Sequence, residues 1–268
     1  MSGMFSVLIP VYNHAAFVGK AVLSALASEL VSEVLLVDDG SVDGSPEVIR
    51  GLAGWDRRVR DLTEVPGENR GAHARLNQLV ESASNEWVAV LNSDDRFVAG
   101  RFEVCRQLIR TENPDLICGH LLVEDEKGVV LGTKRGPLDP EYPYPPGVQV
   151  AERLEAGDVL GLLANQNFVA TTSNMVFTRS LHRTVGGFRD YRYAHDYDFV
   201  LRACLLGRVR YVMQYLTVYR VHGSNTIREV GSLSGVRAEI RLIFERLMEE
   251  FGFLRDRGDF ARLVAERG

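Results

Sequence analysis

Four short apolar runs, Met4–Pro10, Glu33–Asp38, Val59–Val65 and Trp87–Asn92, are each stopped by Pro, Gly, Asn or Asp. Four stretches of helical spacing, Ala15–Ser28, Ser45–Ala53, Ala72–Ser84 and Arg101–Thr111, alternate with them. Apolar runs bounded by turn residues read as buried strands, and strand–helix alternation requires a mostly parallel sheet covered on both faces. The predicted class is α/β, with a Rossmann-like central sheet. Two of the strands end in paired carboxylates, Asp38-Asp39 and Asp94-Asp95. In open α/β sheets ligands bind beyond the carboxyl ends of the strands, so these charges line the expected site.

Beyond residue 114, Asp115–Glu124 and Val129–Leu131 read as a strand pair joined through Asp125-Glu126-Lys127-Gly128. Gly136–Gly147 then holds five of the nine prolines, with Tyr142 and Tyr144 among them. Such a segment is either a crossover loop or a semi-rigid wall of an acceptor site. Ser173–Thr178 and Arg210–Tyr219 read as strands and Phe199–Leu206 as a helix. From Ser234 on, Val236, Ile240, Ile243, Phe244, Leu247 and Phe251 form one face of an amphipathic helix. Its polar face mixes Arg237, Arg241 and Arg246 with Glu239, Glu245, Glu249 and Glu250. A membrane-surface helix is more purely basic, so packing on the domain or on the partner of a homodimer is expected. The chain divides into a domain over 1–230, with halves 1–130 and 131–230, and a helical tail over 231–268.

A net charge of -5 and a pI near 5.7 exclude nucleic acid as the main partner, because phosphate backbones select basic surfaces. Cys105, Cys118 and Cys204 lack metal-ligand spacing and lie in apolar stretches, as reduced core cysteines do. No apolar run reaches the ~18 residues that span a bilayer. A cytoplasmic protein is expected, compatible with peripheral contact at the inner face of the cell membrane.

Five groups of residues carry chemistry. Pro10-Val11-Tyr12-Asn13 turns over the sheet edge, where Tyr12 would lie against a flat base and Asn13 would fix the turn; an ordinary strand-ending turn fits as well. Asp38 and Asp39 require donors, and a ligand N–H would supply one. Uracil, thymine and guanine present such an N–H, whereas cytosine presents an acceptor. The alternative is a turn and cap, with Ser41 or Asp43 starting the next helix. Asn92-Ser93-Asp94-Asp95 suits Mg²⁺ or Mn²⁺ shared with a diphosphate, or else caps the helix near Arg101. Asp196, in His195-Asp196-Tyr197-Asp198, is a candidate general base, and the same residues suit a helix cap. In Tyr219-Arg220-Val221-His222-Gly223-Ser224-Asn225, His222 would be a third metal ligand and Arg220 a phosphate contact. A lone loop histidine is more often solvated or hydrogen-bonded.

Together these residues resemble family 2 glycosyltransferases of the GT-A fold, from Phe5 to about Asn225. The matching pieces are Pro10 to Asn13, Asp38 to Gly44, Asn69-Arg70-Gly71 with Asn77, Leu91 to Asp95, Gly186-Gly187-Phe188, and Asp196 to Arg202. The resemblance implies inverting, single-displacement transfer from a nucleotide-sugar donor to a glycan, lipid-linked or small-molecule acceptor. It places Pro10, Tyr12, Asn13, Asp39, Arg70 and Asp94 around the nucleotide, Asp95 as the direct metal ligand and Asp196 as the base. Gly187 and His195 fall on the acceptor side. A UDP-sugar is the first expectation and a dTDP-sugar the next. Two positions depart from the family pattern: Asn92 stands where an Asp is usual, and His195 where Glu is frequent.

Two other readings compete. A nucleotidyltransferase would also use a metal and an α/β sheet, but the Gly-rich, Lys-bearing phosphate loop is missing. A non-catalytic module binding a sugar nucleotide or a partner would need no base.

Overall fold

The structure, a computed structural model, describes residues 4–65, 67–139, 144, 147–223, 225 and 232–252. Pro140, Tyr142, Pro143, Pro145, Pro146, Ser224 and the tail past residue 252 lie outside the described residues.

The amino-terminal half alternates as its pattern predicts. β1 (Phe5–Val11), α1 (Val18–Leu26), β2 (Val31–Asp38), α2 (Ser45–Trp55), β3 (Val59–Asp61), α3 (Ala72–Ser82) and β4 (Trp87–Val90) follow one another. β3 is shorter than its apolar run. Asp61 Oδ1 accepts both the N–H and the hydroxyl of Thr63, which turns the chain out of the strand. β5 (Arg96–Phe97) and α4 (Arg101–Glu112) complete this half, and the hairpin β6 (Leu116–Asp125) and β7 (Val130–Lys134) comes next. Then follow α5 (Val150–Glu155), α6 (Val159–Leu163), β8 (Val176–Thr178), α7 (Arg179–Val185), α8 (His195–Leu206), β9 (Val209–Val221) and α9 (Ser232–Phe251).

The sheet runs β3-β2-β1-β4-β8-β6-β9-β5, with β7 on the side of β6. β3, β2, β1 and β4 are parallel; β8 runs antiparallel to both β4 and β6, and β6 pairs with β9 in parallel. α8 starts four residues before the predicted Phe199, so Asp196 and Asp198 lie in its first turn. α7 was not predicted; Thr178 caps it by accepting the Leu181 N–H at 3.1 Å.

Strand alternation sorts side chains between two layers. Phe5, Val7, Ile9 and Val11 of β1 pack with α1, Ile49 of α2 and Phe102 and Cys105 of α4. Leu8 packs on the other face with α3, α5, α6 and α8. Ile243, Phe244 and Leu247 of α9 join that second layer, so the tail helix is part of the core. The parallel strands direct their carboxyl ends, and the loops at 11–15, 38–45 and 91–95, to one edge of the sheet.

Candidate active site

The first two loops of that edge are laced together. Asn13, in the left-handed region at φ 55°, donates its N–H to Ser41 Oγ, and its Oδ1 accepts the Val42 N–H, both at 2.8 Å. Asparagine tolerates this backbone conformation better than most residues. Its side chain therefore joins two loops. Pro10 sits one residue before the end of β1, and Tyr12 is 49% exposed on the rim, open to a flat partner.

Asp38 and Asp39 divide their work in a way their adjacency does not reveal. Asp39 is saturated: Oδ1 accepts from Arg70 N and Arg75 Nε, and Oδ2 from Gly71 N, at 2.7–3.0 Å. It anchors the 68–71 loop, and the Arg70 side chain is left on the exposed side of it. Asp38 Oδ2 accepts the N–H groups of Gly40 and Ser41. Its Oδ1 is buried without a hydrogen-bond partner among the described residues. A buried acceptor left in that state costs roughly 1–3 kcal/mol unless a ligand donor meets it. Of the two neighbours, Asp38 and not Asp39 keeps an acceptor oxygen without a partner among the described residues.

The second acidic pair divides likewise. His222 Nε2 lies 3.0 Å from Asp94 Oδ2, and His14 completes a group of three whose ligand atoms lie within 4.8 Å of one another. Burial pushes the Asp94 carboxyl up, but the hydrogen bond from His222 and the nearby His14 and His222 outweigh it, and the net shift is downward. Asp95 faces the protein: Ser173 Oγ donates to its Oδ2 at 2.6 Å and Arg220 N to its Oδ1 at 2.9 Å. Burial, reinforced by the Asp94 charge, pushes Asp95 well above the usual carboxylate range. Asp95 is not in the metal-competent group; it holds the end of β4 to β9. Arg220, expected at a phosphate, is buried on Glu124 Oε1 and the Asp94 carbonyl at 2.7 Å each.

Asn92 has a local reason to be an amide. Its Nδ2 donates to Thr171 Oγ1 at 3.0 Å while its Oδ1 accepts from Thr172 Oγ1 at 2.7 Å. An ionised carboxylate only accepts.

The base candidate lies at the start of α8. Asp196 is 7% exposed, and its Oδ1 accepts the Tyr197 N–H at 2.7 Å. Burial raises its carboxyl, and the neighbouring His195 opposes the rise. His195 is half-buried, with Nδ1 3.2 Å from the Tyr191 carbonyl. Asp198, in place of capping α8, pairs in full burial with Arg202, which also donates to the carbonyls of Val185 and Gly187. Those bonds fasten the Gly186-Gly187-Phe188 loop to α8. Asn77 fastens it to α3: Phe188 N and His182 Nε2 both donate to Asn77 Oδ1 at 2.8 Å. Gly187 has φ 75°, and a Cβ there would stand 2.8 Å from Asn77 Oδ1. Only glycine fits that turn.

His14, Arg75 and Asn225 are the site residues that the sequence reading passed over. His14 immediately follows the Tyr12-Asn13 turn, and that adjacency was the available signal. Asn225 Nδ2 lies 3.3 Å from Asp94 Oδ2.

Residues 6–186 match the profile described as glycosyl transferase family 2. EpsH of Bacillus subtilis (strain 168) is 26% identical over 229 residues, covering 83% of this chain and 62% of that relative. The chain therefore spans about three fifths of that relative's length. Crystallised Staphylococcus aureus TarS 1-349 in complex with UDP-GlcNAc superposes with a TM-score of 0.67 at 16% identity, over 98% of this chain and 71% of that one. The mannosyltransferase PcManGT of Pyrobaculum calidifontis, in complex with GDP-Man and Mn²⁺, superposes at 0.59 with 18% identity, over 100% and 74% of the two chains. These likenesses show a shared fold, the GT-A arrangement.

Proposed function

This chain belongs to glycosyl transferase family 2, and from that premise we propose that it moves a sugar from a nucleotide-diphosphate donor to an acceptor hydroxyl, with inversion at the anomeric carbon. The observation that carries the proposal is the meeting of Asp94, His222 and His14 at the sheet edge that also bears Asp38 and Tyr12. We assign residues 1–130 to the donor and 131–230 to the acceptor. The bound UDP-GlcNAc and GDP-Man of the structural neighbours support a sugar-nucleotide donor for this chain.

One carboxylate and two imidazoles fit a divalent transition ion, and two nitrogen donors favour Mn²⁺ over Mg²⁺. Asp94, His222 and His14 would hold it. Bound there, the ion would neutralise diphosphate charge and stabilise the leaving group. Tyr12 offers a face to the base. Asp38 Oδ1 accepts an imide N–H, which selects uracil, thymine or guanine over cytosine.

Asp196 acts on the acceptor. Its Oδ1 is held by Tyr197 N–H, and Oδ2 receives the hydroxyl proton as that oxygen attacks the anomeric carbon opposite the diphosphate. The new C–O bond forms as the bond to the phosphate oxygen breaks. Burial of Asp196 makes its carboxylate a stronger base than an exposed one.

The proposal is tested by thermal shift against UDP, dTDP, GDP and CDP, each with and without Mn²⁺, followed by donor hydrolysis. Metal-dependent stabilisation by a uracil, thymine or guanine diphosphate is expected, with CDP inactive. Stabilisation by none of them would overturn it.

A further inference from the structure

α9 lies along the loop that leads into Asp196. Glu239 Oε1 accepts the Arg192 N–H at 2.7 Å, and its Oε2 accepts those of Tyr193 and Ala194 at 2.8 and 2.9 Å. One turn earlier, Gly235 touches the Tyr193 ring so closely that a Cβ would stand 2.5 Å from Cε2. Further along, Arg246 Nη1 reaches Tyr191 Oη at 3.4 Å, and Glu250 pairs with Arg189 at 2.6 Å. Positions 235, 239, 246 and 250, with buried Ile243 between them, fall on one helical stripe. They meet Tyr193, the 192–194 amides, Tyr191 and Arg189 in reverse chain order, so loop and helix run antiparallel.

Ala194 precedes α8 and makes no side-chain cap; His195 and Asp196 are the helix's first residues. Backbone N–H groups at a helix start lack intrahelical partners, and a carboxylate is favoured there by the helix dipole. Glu239 brings a carboxylate from another element to the three N–H groups that immediately precede that helix start, those of Arg192, Tyr193 and Ala194. It thereby holds the chain that enters α8, two residues before Asp196.

We propose that Glu239 is a positioning residue for the base, which makes α9 a part of the transfer machinery. The inference rests on the reading of Asp196 as general base. Proton abstraction needs the carboxylate within hydrogen-bond reach of the hydroxyl, and a displacement of about 1 Å can lower the rate by ~10²-fold.

The test uses the full chain carrying Glu239→Ala, Glu239→Gln, Gly235→Ala or Asp196→Asn. Arg241→Ala serves as control, since Arg241 pairs with Glu245 on the exposed side of the same helix. Nucleoside diphosphate release from UDP-GlcNAc, UDP-glucose and GDP-mannose is followed with Mn²⁺. UDP and GDP affinity is measured by calorimetry and amide exchange over 189–197 by mass spectrometry. Glu239→Ala should lower kcat by ~10–10²-fold, leave nucleotide affinity unchanged and speed exchange over 192–194. Glu239→Gln keeps an acceptor oxygen and should recover part of the rate. Gly235→Ala displaces Tyr193 and should show the same signature, so a Glu239→Ala chain that fails to fold does not end the test. Wild-type kcat in these variants, or nucleotide affinity falling in step with kcat, would overturn the inference. Asp196→Asn separates the two readings. Wild-type turnover there, or no hydrolysis of any donor by the unaltered chain, removes the transfer reading and the inference with it. Slow Asp196→Asn beside fast Glu239→Ala removes the inference alone.

Discussion

His222 Nε2 lies 3.0 Å from Asp94 Oδ2 across 128 residues of sequence. The contact joins the end of β4 to the segment after β9, and the Asp95 side chain, one residue on, points away from it into Ser173 and the Arg220 amide. Adjacent aspartates thus meet different partners, Asp94 the two histidines and Asp95 the scaffold.

Asp94→Asn, His222→Ala and His14→Ala should each weaken Mn²⁺-dependent nucleotide binding, read as a smaller metal-dependent thermal shift with UDP. Asp95→Ala should act on the fold. It leaves the Ser173 hydroxyl proton and the Arg220 N–H without their acceptor, at roughly 1–3 kcal/mol each, and chemical denaturation would show the loss without metal.

Asp38→Asn should change base preference. The amide oxygen can still accept from Gly40 and Ser41, while the new NH₂ takes the place of the unpartnered Oδ1. A donor there suits the cytosine acceptor and repels the uracil imide. UDP affinity should fall and CDP affinity rise in calorimetric titrations. An unchanged ratio would place the base elsewhere.

Asp196→Asn should lower turnover by ~10²–10⁴-fold, the usual contribution of a general base, while nucleotide binding persists. The same substitution should raise Tm at neutral pH. Asp196 has its folded pKa raised by burial, so ionisation above that pKa opposes folding, and an amide removes the penalty. In the unaltered enzyme the acid limb of kcat should lie above the value of an exposed aspartate, with activity lost as pH falls through it. Scanning calorimetry and a pH–rate profile check the two halves.

His182 should make the fold acid-sensitive. Burial, with Arg202, Arg183 and Arg179 adding to it, pushes its pKa down to about 4. The unfolded imidazole titrates near ~6.5. Below that pH the unfolded chain binds a proton that the folded chain refuses, so stability falls as pH drops from about 6.5 toward 4. The loss is on the order of 3 kcal/mol. His182→Gln, which keeps a donor for Asn77 Oδ1, should flatten that part of the urea midpoint–pH curve.

Periodicity and turn residues were enough to place β1 to β4 and α1 to α4, because each of those strands is a short apolar run and each helix shows one apolar face; β5, two residues long, carries no such pattern. They were less informative past residue 140. α5 and α6 are six and five residues long, too short for a helical period to show. α7, seven residues long, carries only its end signals, the Thr178 cap and Gly186 at its close. Among the site residues, Asp94, Asp196 and His222 stood out by type and by position after a strand or before a helix.

What the sequence determined by itself is the alternating strands and helices of the amino-terminal half and which edge of the sheet collects the carboxylates, since both follow from local pattern and strand polarity. It could not assign the neighbours Asp38 and Asp39, or Asp94 and Asp95, to their separate tasks. Successive side chains leave a strand end in different directions, and what each one meets is decided by chain far away: Arg75 for Asp39, His14 and His222 for Asp94, Ser173 and Arg220 for Asp95. Glu239 on the base loop is of the same kind. Its backbone partners lie 45 to 47 residues away, and a hydrogen bond to a peptide N–H leaves no trace in the identity of the residue that donates it.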